Sequence, residues 1–539
     1  MNDLLTAIRQ ARSTLDPVID AIDRRGGEGP ASREVLDRHQ QTCFDLAWSA
    51  AELEAARQAL DQESDDGGIR DRLTECFAAQ ALQRHRYRIE PHLAELGLDL
   101  SILEGLARAA LPHLASQAKA ELGGRILTEG PHFDDSSLGG HHRLLRDSYR
   151  RFGDEIVKPR AEEIHRQDQI VPDEIIRGLG DLGCFGLSIP QRYGGLMDES
   201  RPDTLSMLLA TEELSRASLG AAGSLITRPE VLARALLAGG SEEQKAHWLP
   251  LLASGEKLSA VAVTEPDHGS DVASMQLRAR RYDGGFRLNG TKMWTTMAGR
   301  ADVLMVLART SDDPAAGHRG LSLFLVEKPP FFGHDFELTG DNAGSLRGRA
   351  IATLGYRGMH SYECFFDDWE VPAEALVGGD AGEGKGFYMT MAGFAGGRIQ
   401  TAARAVGLMQ AAFEEALEYC HQRQTFGRPI GDYPLLRCRL AEMAAQLHAS
   451  RCFAYAVAKL IDRGAGDMEA SMVKLFASRC AEQVTREAVQ VHGGIGYAEE
   501  SPVSRYFVDA RVLSIFEGTE EILALKVVAR SLFEGSRSH

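Results

Sequence analysis

A carboxylate near the end of the chain, Glu517, stands in Ser514-Ile515-Phe516-Glu517-Gly518-Thr519-Glu520-Glu521-Ile522. Two apolar residues precede it and a glycine follows at once. Apolar neighbours favour the uncharged acid and so make a carboxylate a better proton acceptor. Gly518 would let a ligand approach the main chain with no Cβ in the way. The same letters also read as a plain helix start, with Thr519 as the cap and Glu520 and Glu521 in the first turn.

Three further segments carry specific information. Val261-Ala262-Val263-Thr264-Glu265-Pro266-Asp267-His268-Gly269-Ser270-Asp271-Val272 reads as a strand entering a polar loop. Its backbone N–H groups and hydroxyls could meet a ring or a phosphate, or form an ordinary β-turn. Gly290-Thr291-Lys292-Met293-Trp294-Thr295-Thr296 sets an aromatic face beside hydroxyls on one strand. Gln490-Val491-His492-Gly493-Gly494-Ile495-Gly496-Tyr497 reads as a glycine-rich turn after a helix. It lacks the Gly-x-Gly-x-x-Gly spacing and a βαβ setting, which argues against a Rossmann site.

The elements that must position these residues alternate in texture. Residues 1 to about 130 read as helix, broken at Arg25-Gly26-Gly27-Glu28-Gly29-Pro30 and at Asp65-Asp66-Gly67-Gly68. The stretch from Gly123 to Gly140, rich in glycine, reads as a linker. Helical patterning resumes from His141 to about Gly255, with Ser241 as an N-cap. Short β-rich runs follow from Leu258 to about Val371-Pro372, with Asp283-Gly284-Gly285 as a hairpin turn. Long helices return from Gly386. The expected fold is mainly α with a central β domain, divided as 1–130, 131–257, 258–377 and 378–539.

A chain of 539 residues exceeds one core. Its formal charge of -17 argues against a nucleic-acid footprint. No apolar run approaches the ~20 residues that span a bilayer. The N-terminus shows no export signal. Eight cysteines without a Cys-x-x-Cys pair suit free thiols in a reducing cytoplasm. No metal site is expected, since His141-His142 stands in the linker without a matching ligand cluster.

In this order, and with Arg423-Gln424-Thr425-Phe426-Gly427-Arg428-Pro429 and Tyr506-Phe507-Val508-Asp509-Ala510-Arg511, residues 141 to 535 resemble the acyl-CoA dehydrogenase family. That resemblance implies an α-helical, β-barrel and α-helical arrangement around FAD, as a homodimer or homotetramer. It implies that Val263, Thr264, Trp294 and Thr296 meet the flavin. It implies that Arg423, Thr425 and Phe426 reach FAD from a neighbouring subunit, with Gln490 and Gly494 at the adenine end. Thr519 and Glu521 would touch the cofactor. Ser270, Arg398 and Gly518 would lie near the acyl-CoA, and Glu517 would be the catalytic base. Some family members carry the base before the helix arginine, but Gly397 occupies that position here. An electron-transferring flavoprotein is the implied acceptor.

Within the family, the extra N-terminal helices resemble the methylsuccinyl-CoA-oxidising subgroup, through Phe44-Asp45-Leu46-Ala47-Trp48-Ser49-Ala50-Ala51-Glu52. Leu354-Gly355-Tyr356-Arg357-Gly358-Met359 and Arg398-Ile399-Gln400-Thr401-Ala402-Ala403-Arg404-Ala405 are also similar. Phe331 to Arg349 and His360-Ser361-Tyr362 depart from it. Arg228, in a helical stretch rich in small and apolar residues, is the candidate partner for a substrate carboxylate, against a structural ion pair with Glu230 or a nearby acid. Other readings are a dehydrogenase or oxidase for another short branched or carboxylated acyl-CoA, and a non-catalytic flavin-binding interaction protein.

Overall fold

The structure, a computed structural model, describes residues 2–25, 33–62, 67–130 and 138–536. The expected breaks at 26–30 and at Asp65-Asp66 lie outside these, as does the 131–137 part of the expected linker. Contacts divide the chain into two units. One joins Met1–Leu144 with Thr401–His539, and the other is Leu145–Gln400. Among the described residues no helix is long and apolar enough to cross a membrane.

In the first unit the N-terminal helices share a core with the C-terminal ones. Helices Gln40–Leu60 and Ile69–Leu96 pack on Pro434–Ile461 and Asp467–His492. Phe77 meets Phe476 edge-on at 5.4 Å, and Thr74 is bonded to His448 at 3.0 Å. The Arg479 guanidinium lies 3.9 Å from the centre of the Trp48 ring. The linker expectation needs correcting, because helix Ser116–Glu129 runs through Gly123 and helix Gly140–Phe152 holds His141 and His142. Gly123 is needed for close approach rather than for flexibility: a Cβ there would collide with the Arg437 carbonyl.

The second unit carries one eight-stranded sheet: β1 (Ser259–Ala262), β2 (Arg278–Tyr282), β3 (Gly285–Thr296), β4 (Val303–Arg309), β5 (Leu321–Glu327), β6 (Asp335–Thr339), β7 (Ser345–Ile351) and β8 (Ser361–Pro372). The strand order is β1-β4-β2-β3-β8-β7-β6, with β5 on β4. Every residue of β4 is buried, since both its faces are covered. Val303, Met305 and Leu307 pack with helices Thr227–Gly239 and Glu242–Ser254, while Leu304, Val306 and Ala308 pack with Phe286 and Phe324. The Asp283-Gly284 turn joins β2 to β3, with Tyr282 opposite Gly285. Ser241 caps its helix as expected and forms a full capping box with Gln244. Strands β6 and most of β7 fall in the segment that reads as diverged, and β6, β7 and β8 have no individual counterpart among the expected β-rich runs.

Candidate active site

Helix Gly386–Gln422 carries Thr401 and Arg404 three residues apart, a spacing that sets both on one face. That face meets the turn holding Glu517. Thr401 Oγ1 donates to Glu517 Oε2 at 2.6 Å, and Arg404 Nη1 donates to Glu517 Oε1 at 3.2 Å. Arg404 Nη1 also donates to Thr401 Oγ1 at 3.2 Å, which closes a three-membered network. Arg404 and Thr401 are fully buried, and the Glu517 side chain is 8% exposed. The Arg404 guanidinium also faces the Phe516 ring at 5.3 Å. Lys474, fully buried, donates to the Gly518 carbonyl at 2.6 Å.

Two features of this turn differ from the reading of its letters alone. Ile515 is half exposed, so the setting of Glu517 is made by polar donors and not by an apolar pocket. Glu517 also adopts φ 54°, a left-handed conformation that costs a side-chain-bearing residue on the order of 1–3 kcal/mol. The helix-start reading of these letters holds. The Thr519 side chain accepts from Ile522 N and caps the turn that begins at Glu520. Glu521 is exposed.

The same unit brings the residues expected at the far end of the cofactor together. Thr425 lies in a small two-stranded ribbon, Gln424–Thr425 against Arg428–Pro429, with Arg423 just before it and Phe426 on its turn. Phe426 sits at φ 51° on its turn and is 98% exposed. The ribbon follows Tyr419, whose ring stacks on His492 at 4.3 Å, and His492 stands between Gln490 and Gly494. Open space surrounds the position of a Cβ at Gly494.

In the second unit the expected flavin contacts share one corner of the sheet. The register of β3 against β8 slips between Lys292 and Thr295, so Met293 and Trp294 stand opposite a single residue. Such a bulge turns a side chain outward, and Trp294 lies half exposed at φ 58°. Thr296 Oγ1 shares a hydrogen bond with Ser361 Oγ at 2.9 Å. Behind this corner Lys292, fully buried, donates to Glu265 Oε1 at 2.7 Å and to the Val263 carbonyl at 2.9 Å. Met293 N donates to the Thr264 carbonyl at 2.7 Å. Glu265 in turn accepts from Gln276 N and Leu277 N. Burial pushes the Lys292 amine down to about 8, with the Glu265 charge opposing the shift. The ion pair thus fixes the backbone of Val263 and Thr264 against β3.

Ser270 is exposed on the loop beyond, and Arg398 is half-buried on helix Gly386–Gln422. Arg228 is buried, with Nη2 3.4 Å from the Tyr356 hydroxyl. Glu230, one of the acids considered as its partner, pairs with Arg234 at 2.6 Å. Thr401, Arg404, Lys474, Lys292 and Glu265 were not singled out as site residues from the sequence. The i, i+3 spacing of Thr401 and Arg404 on a helical motif was the available signal.

Each unit by itself offers groups that suit a part of a flavin dinucleotide: the second has an indole face beside hydroxyls, and the first has an arginine, an exposed phenyl ring and an open glycine turn. Comparison with known proteins points the same way. Residues 140–256, 260–369 and 384–533 match the N-terminal, middle and C-terminal domains of acyl-CoA dehydrogenase. A (2S)-methylsuccinyl-CoA dehydrogenase of Cereibacter sphaeroides is 36% identical over 99% of this chain and 99% of its own. Butyryl-CoA dehydrogenase of Megasphaera elsdenii superposes with a TM-score of 0.66 at 33% identity, covering 74% of this chain and 99% of its own. A glutaryl-CoA dehydrogenase of Mycobacterium smegmatis in complex with FADH2 gives 0.65 at 28% identity, covering 74% of this chain and 96% of its own.

Proposed function

Because this chain belongs to the acyl-CoA dehydrogenase family, we propose that it is an FAD-dependent enzyme that desaturates an acyl-CoA thioester, with Glu517 as its base. The observation that carries this reading is the buried carboxylate held by Thr401 and Arg404. A base that removes a proton from Cα must stay in one orientation, and two donors on its two oxygens provide that. The Arg404 guanidinium keeps a counter-charge beside it before and after proton transfer. FAD, when bound, accepts the β-hydrogen as hydride. Val263, Thr264, Trp294 and Thr296 hold the flavin end, and Thr519 and Glu521 lie along it. Arg423, Thr425, Phe426, Gln490 and Gly494 hold the remainder. The exposure of Phe426 supports its serving a neighbouring subunit of a homodimer or homotetramer. Ser270, Arg398 and Gly518 attend the acyl-CoA, and an electron-transferring flavoprotein is the acceptor.

Glu517→Gln tests the base. The amide keeps the volume but accepts no proton, so turnover should fall ~10²–10⁴-fold while flavin absorbance per chain stays unchanged. Near-normal turnover would move the base elsewhere.

For the acyl group we propose (2S)-methylsuccinyl-CoA, oxidised to mesaconyl-CoA. Two features support it. The Cereibacter sphaeroides relative matches along 99% of the chain, N-terminal helices included, where the butyryl-CoA dehydrogenase covers 74%. Arg228 is a buried cation beside the Tyr356 hydroxyl, a pair able to receive a carboxylate. A site built around a polar group discriminates strongly against substrates lacking it. Arg228→Ala should therefore lower kcat/KM for methylsuccinyl-CoA far more than for an uncharged branched acyl-CoA. Equal losses on the two substrates would assign Arg228 to packing.

A further inference from the structure

Three residues that the proposed function does not use meet at one point of the second unit. Asp168 follows helix Lys158–Arg166, His334 precedes β6, and His360 precedes β8. His360 Nε2 lies 3.1 Å from Asp168 Oδ1 and 3.0 Å from His334 Nε2. His334 Nε2 lies 3.5 Å from Asp168 Oδ2 and 3.1 Å from the Asp168 carbonyl oxygen. One ligand atom from each side chain falls within 4.8 Å of the others. The backbone holds the group under strain, with Asp168 at φ 52° and His360 at φ 51°.

Protons alone serve this arrangement poorly. Each Nε2 carries at most one hydrogen. Two nitrogens 3.0 Å apart bond only if one of them is bare, which leaves a single N–H facing three oxygens. Lone pairs therefore outnumber hydrogens where the side chains converge, the condition that a cation relieves. The spacings fit as well. Nitrogen and oxygen ligands at about 2.0–2.2 Å from an ion, in tetrahedral to octahedral geometry, stand about 3.0–3.5 Å from one another. The nearby Arg357 does not compete strongly for the carboxylate. Its Nε is 3.6 Å from Asp168 Oδ1, while Nε and Nη2 donate to the Thr353 carbonyl and Nη1 to that of His165.

We propose that Asp168, His334 and His360 bind a divalent first-row transition-metal ion of the Zn²⁺ class. Two imidazoles and one carboxylate are a donor set for such ions, and they leave a position for water. Access is open, because His334 and Asp168 are half exposed while only His360 is buried. The ion would fasten a helix end and a loop to the start of β8. There the His360 carbonyl accepts from Met297 N at 2.8 Å, and the neighbouring Ser361 meets Thr296. The site thus adjoins the flavin corner without sharing its side chains.

The test uses untagged, full-length flavoprotein passed over chelating resin and titrated calorimetrically with Zn²⁺, with Co²⁺ absorption as a second readout. One equivalent per chain is expected to bind. His334→Ala, at an exposed position, should leave circular dichroism and flavin content intact while weakening binding at least about tenfold, since even outer-shell changes at metal sites cost about 10- to 100-fold. Asp168→Asn should weaken binding similarly. No uptake at submillimolar Zn²⁺, or uptake that both variants leave unchanged, would overturn the proposal.

Discussion

Replacing Lys292 by methionine tests whether a buried ion pair sets the flavin corner. The substitution keeps most of the hydrocarbon and removes the ammonium, so little packing is lost. What remains is the Glu265 carboxylate, buried and deprived of one donor. Breaking such a pair costs about 3–5 kcal/mol. Glu265 keeps the Gln276 and Leu277 amides at 2.7 and 2.8 Å, which favours the lower end, about 3 kcal/mol. For a unit of this size that is a fall in Tm of about 6–12 °C. Flavin content should fall as well, since the Val263 carbonyl loses its lysine. Adding Glu265→Gln should recover part of the stability by removing the stranded charge. The pH dependence has a definite sign. Lys292 lies near 8 in the fold against 10.5 for the unfolded chain, so the folded protein releases this proton first. Between about pH 8 and 10.5 the unfolded chain holds more protons, and the group's contribution to stability rises with pH. The penalty is in full force below about pH 8. Lys292→Met should remove that alkaline rise. Thermal melts at pH 7.5 and 9.5 with flavin absorbance decide the matter. A Tm within about 2 °C of the parent, with flavin retained, would refute the positioning role.

Two other expectations are simpler to check. Gly123→Ala should destabilise the first unit by about 1–3 kcal/mol, because the new methyl group meets the Arg437 backbone rather than a movable side chain; unchanged denaturant midpoints would contradict the packing. Native protein should react with a thiol reagent at one site per chain, Cys438. The other seven cysteines are buried, and burial pushes the Cys43, Cys76, Cys184, Cys364, Cys420 and Cys480 thiols up to about 12. Rapid labelling elsewhere would reveal an opening that the fold does not show.

Much of this was legible in the letters, for reasons that differ by element. The β-rich runs at 258–263, 276–282, 286–288, 303–308 and 321–326 overlap β1 to β5, because β-branched and aliphatic residues with glycine breaks mark strands locally. Strands β6 and β7 escaped, since Asp335–Thr339 and Ser345–Ile351 bury few side chains and carry many polar ones. Gly123 suggests flexibility in the letters, whereas its cause is close helix approach, a property of the partner helix. Glu517 could be singled out from its neighbours, but its donors lie 116 and 113 residues earlier, and only the fold joins them. The same holds for Asp168 and His360, 192 residues apart.

Glu517, Trp294 and Phe426 share a left-handed backbone that glycine would adopt with less strain. Under selection for folding alone, each position would drift toward glycine, and at 517 that drift would erase the proposed base while the scaffold grew firmer. Side chains kept at such angles are what a functional demand at the proposed site would preserve against that drift. A lineage freed from that demand should lose these residues early, while Lys292 and Glu265, whose loss unbalances a core, should outlast them.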